Sequence, residues 1–128
     1  MIVFAVINPS DRHMATNEIE RHFDGKSPQV RAIYDAVLAT AQRLGPVEED
    51  SKKTSIHLNR RTAFLGVATR KTNLLLTIKS DSPWLHPLIA KSEQLSAKRW
   101  HHDLKLSAPD QLDDEIVAHI ALAYELSA

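Results

Sequence analysis

Apolar residues between Ser27 and Pro46 recur at intervals of three and four positions, the spacing of a helix that buries one stripe. The stripe consists of Val30, Ile33, Tyr34, Val37, Leu38, Ala41 and Leu44. Ser27 is a candidate N-cap, and Pro28 suits the first helical position. Gly45 followed by Pro46 is typical of a helix end. The pattern therefore predicts one amphipathic helix over this stretch.

From Thr54 onward, apolar and polar residues alternate, which is typical of half-buried strands. Strand-like segments cover residues 54–59, 62–69, 73–79, 88–95 and 99–106. Gly66, which has no side chain, indicates a bulge or a close backbone approach. The acidic stretch Glu48–Asp50 before these segments is interpreted as a solvated turn. We predict a five-stranded, mostly antiparallel meander whose last two strands form a hairpin around Ser96–Lys98.

The end of the chain predicts a second helix. Ser107, with Asp110 three residues later, resembles a capping box, and the apolar residues that follow have helical spacing. They are Leu112, Ile116, Ile120, Ala123 and Tyr124. Because a meander cannot bury both of its faces alone, we expect the two helices to cover one face. The predicted fold class is α+β.

The first residues stand apart from this pattern. Ile2–Ile7 is an uninterrupted apolar run that Asn8 and Pro9 end. It is interpreted either as an arm with little role inside the fold or as a strand that pairs with another edge. We expect residues 1–13 to form this arm and residues 14–128 to form a single domain. Pairing of the arm with a second chain leads us to predict a homodimer.

Composition restricts the class of protein. A chain of 128 residues with 43% hydrophobic and 25% charged residues is typical of one soluble domain. It contains no cysteine, which excludes disulfides, thiolate metal sites and cysteine nucleophiles. No apolar run approaches the roughly 20 residues of a membrane helix. We expect a bacterial, cytoplasmic protein that does not associate with membranes.

Charge is distributed unevenly along the chain. Ser51–Ser80 contains seven basic and no acidic residues, whereas the remainder contains nine basic and sixteen acidic residues. In a meander, Lys52, Lys53, Arg70 and Lys71 would lie at one end of the sheet, and Arg60, Arg61 and Lys79 at the other. The turns predict anion binding by Arg60, Arg61, Arg70 and Lys71, with a polyanion or an acidic protein as partner. Alternatively, acidic helices neutralise these cations within the fold or across a dimer.

Two further groups of residues could carry chemistry. His102 shares the predicted inward face of the last strand with Trp100, Leu104 and Leu106. It is either a core histidine bonded to the backbone or part of a ligand pocket with Trp84 and Trp100. The acidic residues Asp110, Asp113, Asp114 and Glu115 could bind a hard cation, but helix capping explains them fully. We predict no metal and no cofactor.

Several stretches resemble a known family. They are Glu20–Lys26, Val30–Tyr34, Lys53–Ile56, Asp81–Pro83, Arg99–His102, Leu112–Ile116 and Ala123–Glu125. From Ile19 to Leu126 the chain resembles the domain-of-unknown-function family numbered 5655. The resemblance implies a small bacterial α+β domain and brings neither an established activity nor catalytic residues.

The residues thus favour a small non-catalytic binding or interaction module built on a basic β-meander. The alternative is an enzyme or small-ligand-binding domain that uses His102 in a pocket lined by Trp84 and Trp100. A closed, filled core around His102 would argue against this alternative.

Overall fold

The computed structural model describes residues 18–128, so the predicted arm over residues 1–13 lies outside the described residues. Two helices flank the strands: α1 (Pro28–Gln42) and α2 (Asp114–Leu126). The strands are β1 (Glu48–Ser51), β2 (Ile56–Asn59), β3 (Ala63–Thr69), β4 (Leu74–Ser80), β5 (Ile89–Ser96) and β6 (Arg99–Leu106). Short 3-10 turns lie at Arg21–Phe23 and Pro109–Gln111.

The six strands form one antiparallel sheet in the order β1-β2-β3-β4-β6-β5. The predicted α+β class, antiparallel sheet and C-terminal helix are confirmed. The predicted number of five strands is wrong, because the stretch interpreted as an acidic turn is β1. Its four residues pair with β2 from Glu48 opposite Asn59 to Ser51 opposite Ile56. Glu49 accepts a hydrogen bond from the Tyr34 hydroxyl, which holds this polar edge strand against α1.

The order of the last two strands also departs from a sequential meander. β6, rather than β5, lies next to β4, with Leu76 opposite Leu104 and Leu74 opposite Leu106. The alternating apolar residues of β6 are buried, whereas seven of the eight residues of β5 are exposed. Burial of the more apolar strand explains why the polar strand β5 occupies the edge.

One face of the sheet forms the core with the two helices. Its fully or nearly fully buried strand residues are Ile56, Leu58, Leu65, Val67, Leu74, Leu76, Ile78, His102, Leu104 and Leu106. A register shift after Leu58 makes Phe64 a bulge, so Phe64 and Leu65 are both buried. Phe64 packs edge-on against Tyr124 of α2, with ring centroids 5.1 Å apart.

The helix ends differ in detail from the sequence prediction. α1 ends at Gln42, which leaves Leu44 outside the helix, and Leu38 is only partly buried. α2 begins at Asp114, and the backbone N–H of Ile116 donates to Asp113 at 2.8 Å. The predicted capping box of Ser107 and Asp110 is therefore wrong. The intervening 3-10 turn places the cap three residues after Asp110.

Candidate functional site

The second face of the sheet, which we call the open face, carries a shallow trough above β3. The floor of the trough consists of the small residues Ala63, Gly66 and Ala68. These residues share one face because the bulge at Phe64 shifts the alternation between Ala63 and Gly66. The trough has a volume of about 230 Å³. Its small floor residues leave space that larger side chains would fill.

Polar side chains from three strands surround this floor. His57 of β2 and Thr77 of β4 lie opposite Gly66 in the strand register, one on each side. Lys79 of β4 lies opposite His101 of β6 one step further along the sheet. All four side chains line the trough. Two imidazoles and an ammonium group are thus available to a bound ligand, whereas the Thr77 hydroxyl already donates to Asp103.

Lys79 has an unusual electrostatic environment. Its ammonium group donates to Ser127 Oγ at 2.9 Å and to Thr62 Oγ1 at 3.3 Å, both of them neutral oxygens. Within residues 18–128, no carboxylate lies at ion-pairing distance from it. Burial and the neighbouring Arg99 lower the pKa of Lys79. A bound anion would offset both effects.

The strands place four carboxylates on the same face, those of Glu48, Asp50, Glu93 and Asp103, and the two nearest the floor residue Gly66 are engaged by other groups. Asp50 pairs with Lys52 at 3.0 Å, and the bond from Lys52 lowers the pKa of this carboxyl group. Asp103 accepts a hydrogen bond from the Thr77 hydroxyl at 2.6 Å and lies opposite Lys91 in the register. Neither carboxylate neutralises Lys79.

The side chain of Arg60, a predicted anion-binding residue, contacts other residues of the fold. Its guanidinium donates to the carbonyl oxygen of Tyr124 at 3.1 Å and lies 4.3 Å from the centre of that ring. It also lies 3.8 Å from a carboxylate oxygen of Glu125. Arg60 therefore caps the C-terminal end of α2, where carbonyl groups favour a cation. Arg61 is exposed beside it, and its backbone N–H donates to the carbonyl of Ser127 at 3.2 Å.

The other predicted pair lies at the opposite end of the sheet. Arg70 and Lys71 are exposed in the turn between β3 and β4, whereas Arg60 and Arg61 precede β3. The carbonyl oxygen of Lys71 accepts a hydrogen bond from the N–H of Ser27 at 2.8 Å. The cations form two separate groups, and the role of these four residues as anion ligands stays a prediction.

The structure brings the predicted ligand-binding residues Trp84, Trp100 and His102 together. The His102 ring centroid lies 5.7 Å from that of each tryptophan. His102 has no exposed surface; its Nε2 lies 2.9 Å from the carbonyl of Ser82, and its Nδ1 lies 2.8 Å from Ser92 Oγ. With both nitrogens engaged, this environment fits the core-histidine interpretation. Ligand binding by the three residues stays a prediction.

Two of the acidic residues at the start of α2, Asp113 and Glu115, take part in the same cluster. Asp113 accepts from His86 Nε2 at 2.9 Å, and the N–H of Ile116, together with this histidine, lowers the pKa of Asp113. Glu115 accepts a hydrogen bond from the indole N–H of Trp84. In the part of the chain that the structure describes, no group of three or more His, Asp or Glu side chains is arranged to hold a metal ion.

Acidification is expected to destabilise the fold through His119. Its ring stacks on Trp84 at 3.7 Å, and burial lowers its pKa despite the opposing charge of Glu115; His86 and His102 lower it further. The unfolded chain then binds the proton first, so stability is complete above about pH 6.5 and falls as the pH decreases. Urea titrations should show less unfolding free energy at about pH 5.5 than at about pH 7.5.

His119→Gln should reduce this pH dependence. A part should remain, because burial and the charge of Arg21 also lower the pKa of His22. An unchanged unfolding free energy across this pH range in the unmodified protein would contradict the assignment.

Sequence reasoning missed the trough and a partly buried contact near the first helix. The small residues Ala63, Gly66 and Ala68 were a readable signal, but their shared face depends on a bulge that the alternation did not locate. His22 Nε2 lies 2.9 Å from Ser51 Oγ, which ties the chain before α1 to β1. That contact could not be predicted without β1, which the sequence analysis interpreted as a turn.

Comparison with known proteins identifies a family. The model of the family described as Domain of unknown function (DUF5655) matches residues 19–127 of this chain. No curated protein and no solved structure matches this chain. None of the helices between residues 18 and 128 has the length and apolar character that crossing a bilayer requires.

Proposed function

The chain belongs to the DUF5655 family, and we propose that its domain is a binding module that receives an anionic group in the trough of the open face. The observation that carries this proposal is the Lys79 ammonium, which lines the trough without a carboxylate partner in residues 18–128. The ligand chemistry is a carboxylate or phosphate group, because an ammonium and two imidazole N–H groups match such oxygens.

The surroundings of the trough support an anion over a cation. Arg99 lies close enough to Lys79 to lower its pKa, and Arg61 is exposed in the turn at the same end of the sheet. These charges increase the positive potential at this end, and clefts lined by charge of one sign attract ligands of the other. Asp50 and Asp103 moderate this potential on the side of His57 and Thr77, and Glu93, which lies opposite His101 on the same face, moderates it on the side of Lys79.

Binding is favoured over catalysis by the contacts of the lining groups. The hydroxyl of Thr77 donates to Asp103, so it forms no hydroxyl–imidazole pair with His57 or His101 of the kind that activates a nucleophile. His102, the histidine of the enzyme alternative, is enclosed with both ring nitrogens engaged. We therefore propose that the module acts by holding a partner and not by transforming it.

Isothermal titration with sodium tripolyphosphate and with acetylated hexaglutamate tests this proposal. At about 0.01 M salt, where the screening length is ~30 Å, we expect binding that weakens as salt increases. Lys79→Gln should raise the dissociation constant about tenfold, a loss of about 1.4 kcal/mol. The two probes distinguish phosphate from carboxylate as the preferred group.

Lys105→Gln provides the matched control. Lys105 is exposed on the same face and opposite Leu75, which is four residues from Lys79 along β4. Its loss removes the same charge about 13 Å from Lys79 and should raise the dissociation constant clearly less than Lys79→Gln does, because at that distance Lys105 attracts the bound anion without contacting it. Equal losses for both variants, or no binding of either probe at low salt, would contradict the trough as the site.

A further inference from the structure

The edge strand β5 offers an unpaired backbone and an ordered pattern of charge. Its outer side has no strand partner in residues 18–128. Lys91 and Glu93 lie opposite Asp103 and His101 in the register and so point to the open face. Ser92 points to the helix side, where its hydroxyl contacts His102. Exposed edges of this kind are templates for pairing with another strand.

We propose that β5 pairs antiparallel with β5 of a second copy of the chain, about a two-fold axis through Ser92. In this register, Lys91 lies opposite Glu93 of the partner subunit, and symmetry repeats the pair. Opposite charges that face each other across antiparallel strands attract. The two sheets then form one continuous sheet of twelve strands.

The charges select this register over its neighbours. A two-fold axis perpendicular to the sheet keeps each side chain on its own face, so the pairing can change only in steps of two residues. Each such step moves the axis by one residue along β5, from Ser92 to Lys91 or to Glu93. An axis through Lys91 would set that lysine against its own symmetry mate. An axis through Glu93 would do the same with two carboxylates, and like charges directly opposite are destabilising.

The length of β5 limits the strength of this contact. Register shifts between Ile89 and Lys91 and between Gln94 and Ser96 confine regular geometry to the centre of the strand. Bulges and charged side chains also serve to prevent edge pairing, and that interpretation predicts a monomer at every concentration. Our proposal instead predicts a weak, concentration-dependent dimer whose stability follows the sign of the charges at Lys91 and Glu93.

Pairing through β5 has a consequence for the open face. Because the axis is perpendicular to the sheet, both open faces lie on the same side of the dimer. Two troughs would then be presented on one surface, and a ligand with several anionic groups could contact both. The dimer itself does not depend on what the trough binds.

Sedimentation equilibrium of the full chain over a series of concentrations tests the proposal. The mass should rise from 14.4 kDa toward twice that value as concentration increases. Lys91→Glu or Glu93→Lys alone sets like charges opposite each other and should raise the dimer dissociation constant about tenfold or more. The double charge swap restores opposite charges and should return the constant to within about threefold of the original.

Lys98→Glu is the control, because Lys98 lies in the hairpin turn outside the paired segment. All the altered side chains are exposed, so circular dichroism should show the same fold for each variant. A monomer at all concentrations, a dimer that tolerates single charge reversals, or a swap that fails to restore dimerisation would each overturn the proposal.

Discussion

Replacing Leu76 with alanine is expected to lower the free energy of unfolding by about 2–5 kcal/mol. Leu76 lies in β4, between β3 and β6, and has no exposed surface. It faces Val67 and Leu104 across the two neighbouring strands, beneath the helices. Truncation removes buried methyl groups and leaves a cavity that a sheet held on both sides cannot easily close.

Leu75→Ala is the matched control on the same strand. Leu75 is only half-buried and points to the open face, opposite Ala68 and Lys105. Its truncation should lower the unfolding free energy by about 1 kcal/mol or less, because water already reaches this face. Denaturant titration of both variants measures the difference. Similar losses would show that both faces of β4 are covered, contrary to the fold described above.

The second large effect is expected at Gly45, between α1 and β1. Its φ of +149° lies in a region that residues with a side chain rarely adopt. A Cβ atom there would lie 2.5 Å from the Tyr124 hydroxyl oxygen, which donates to the carbonyl of Pro46 at 2.9 Å. Gly45→Ala should therefore destabilise the fold by at least about 1–3 kcal/mol and displace this tyrosine.

Gly66→Ala is the control for Gly45→Ala. It distinguishes the effect of the close Tyr124 hydroxyl at Gly45 from a general effect of replacing a glycine. A Cβ atom at Gly66 would meet Thr77 Cβ at 3.6 Å and His57 Cδ2 at 4.0 Å, which are ordinary contacts. Thermal and denaturant unfolding should show little loss of stability for this variant. Equal destabilisation by the two substitutions would contradict the role assigned to Tyr124 at Gly45.

The elements that sequence patterns predicted are those whose side chains face the core. Ile33 and Val37 have helical spacing because α1 buries them, and Leu74, Leu76 and Ile78 alternate because β4 buries one face. The hairpin turn was also readable, since β5 ends at Ser96 and β6 begins at Arg99. Because buried apolar residues recur at the period of the helix or strand that carries them, these elements could be located without a structure.

The remaining features depend on contacts between distant segments. β1 contains Glu48 and Glu49, and its strand geometry comes from pairing with β2 and from Tyr34, not from an apolar pattern. β6 lies next to β4 because β6 is more apolar than β5. The alternation within either strand alone does not reveal this difference. Predicting the candidate site would have required the strand register and the position of the bulge at Phe64. Together they place Lys79 and His57 beside the floor of the trough.

The most direct test of anion binding in the trough is a two-dimensional amide NMR titration of the isotope-labelled protein with tripolyphosphate. We expect saturable shifts at His57, Gly66, Lys79 and His101, which line the trough, and their loss in Lys79→Gln. Shifts confined to Arg70 and Lys71 at the opposite end of the sheet, or no saturable shifts at low salt, would contradict the proposed site.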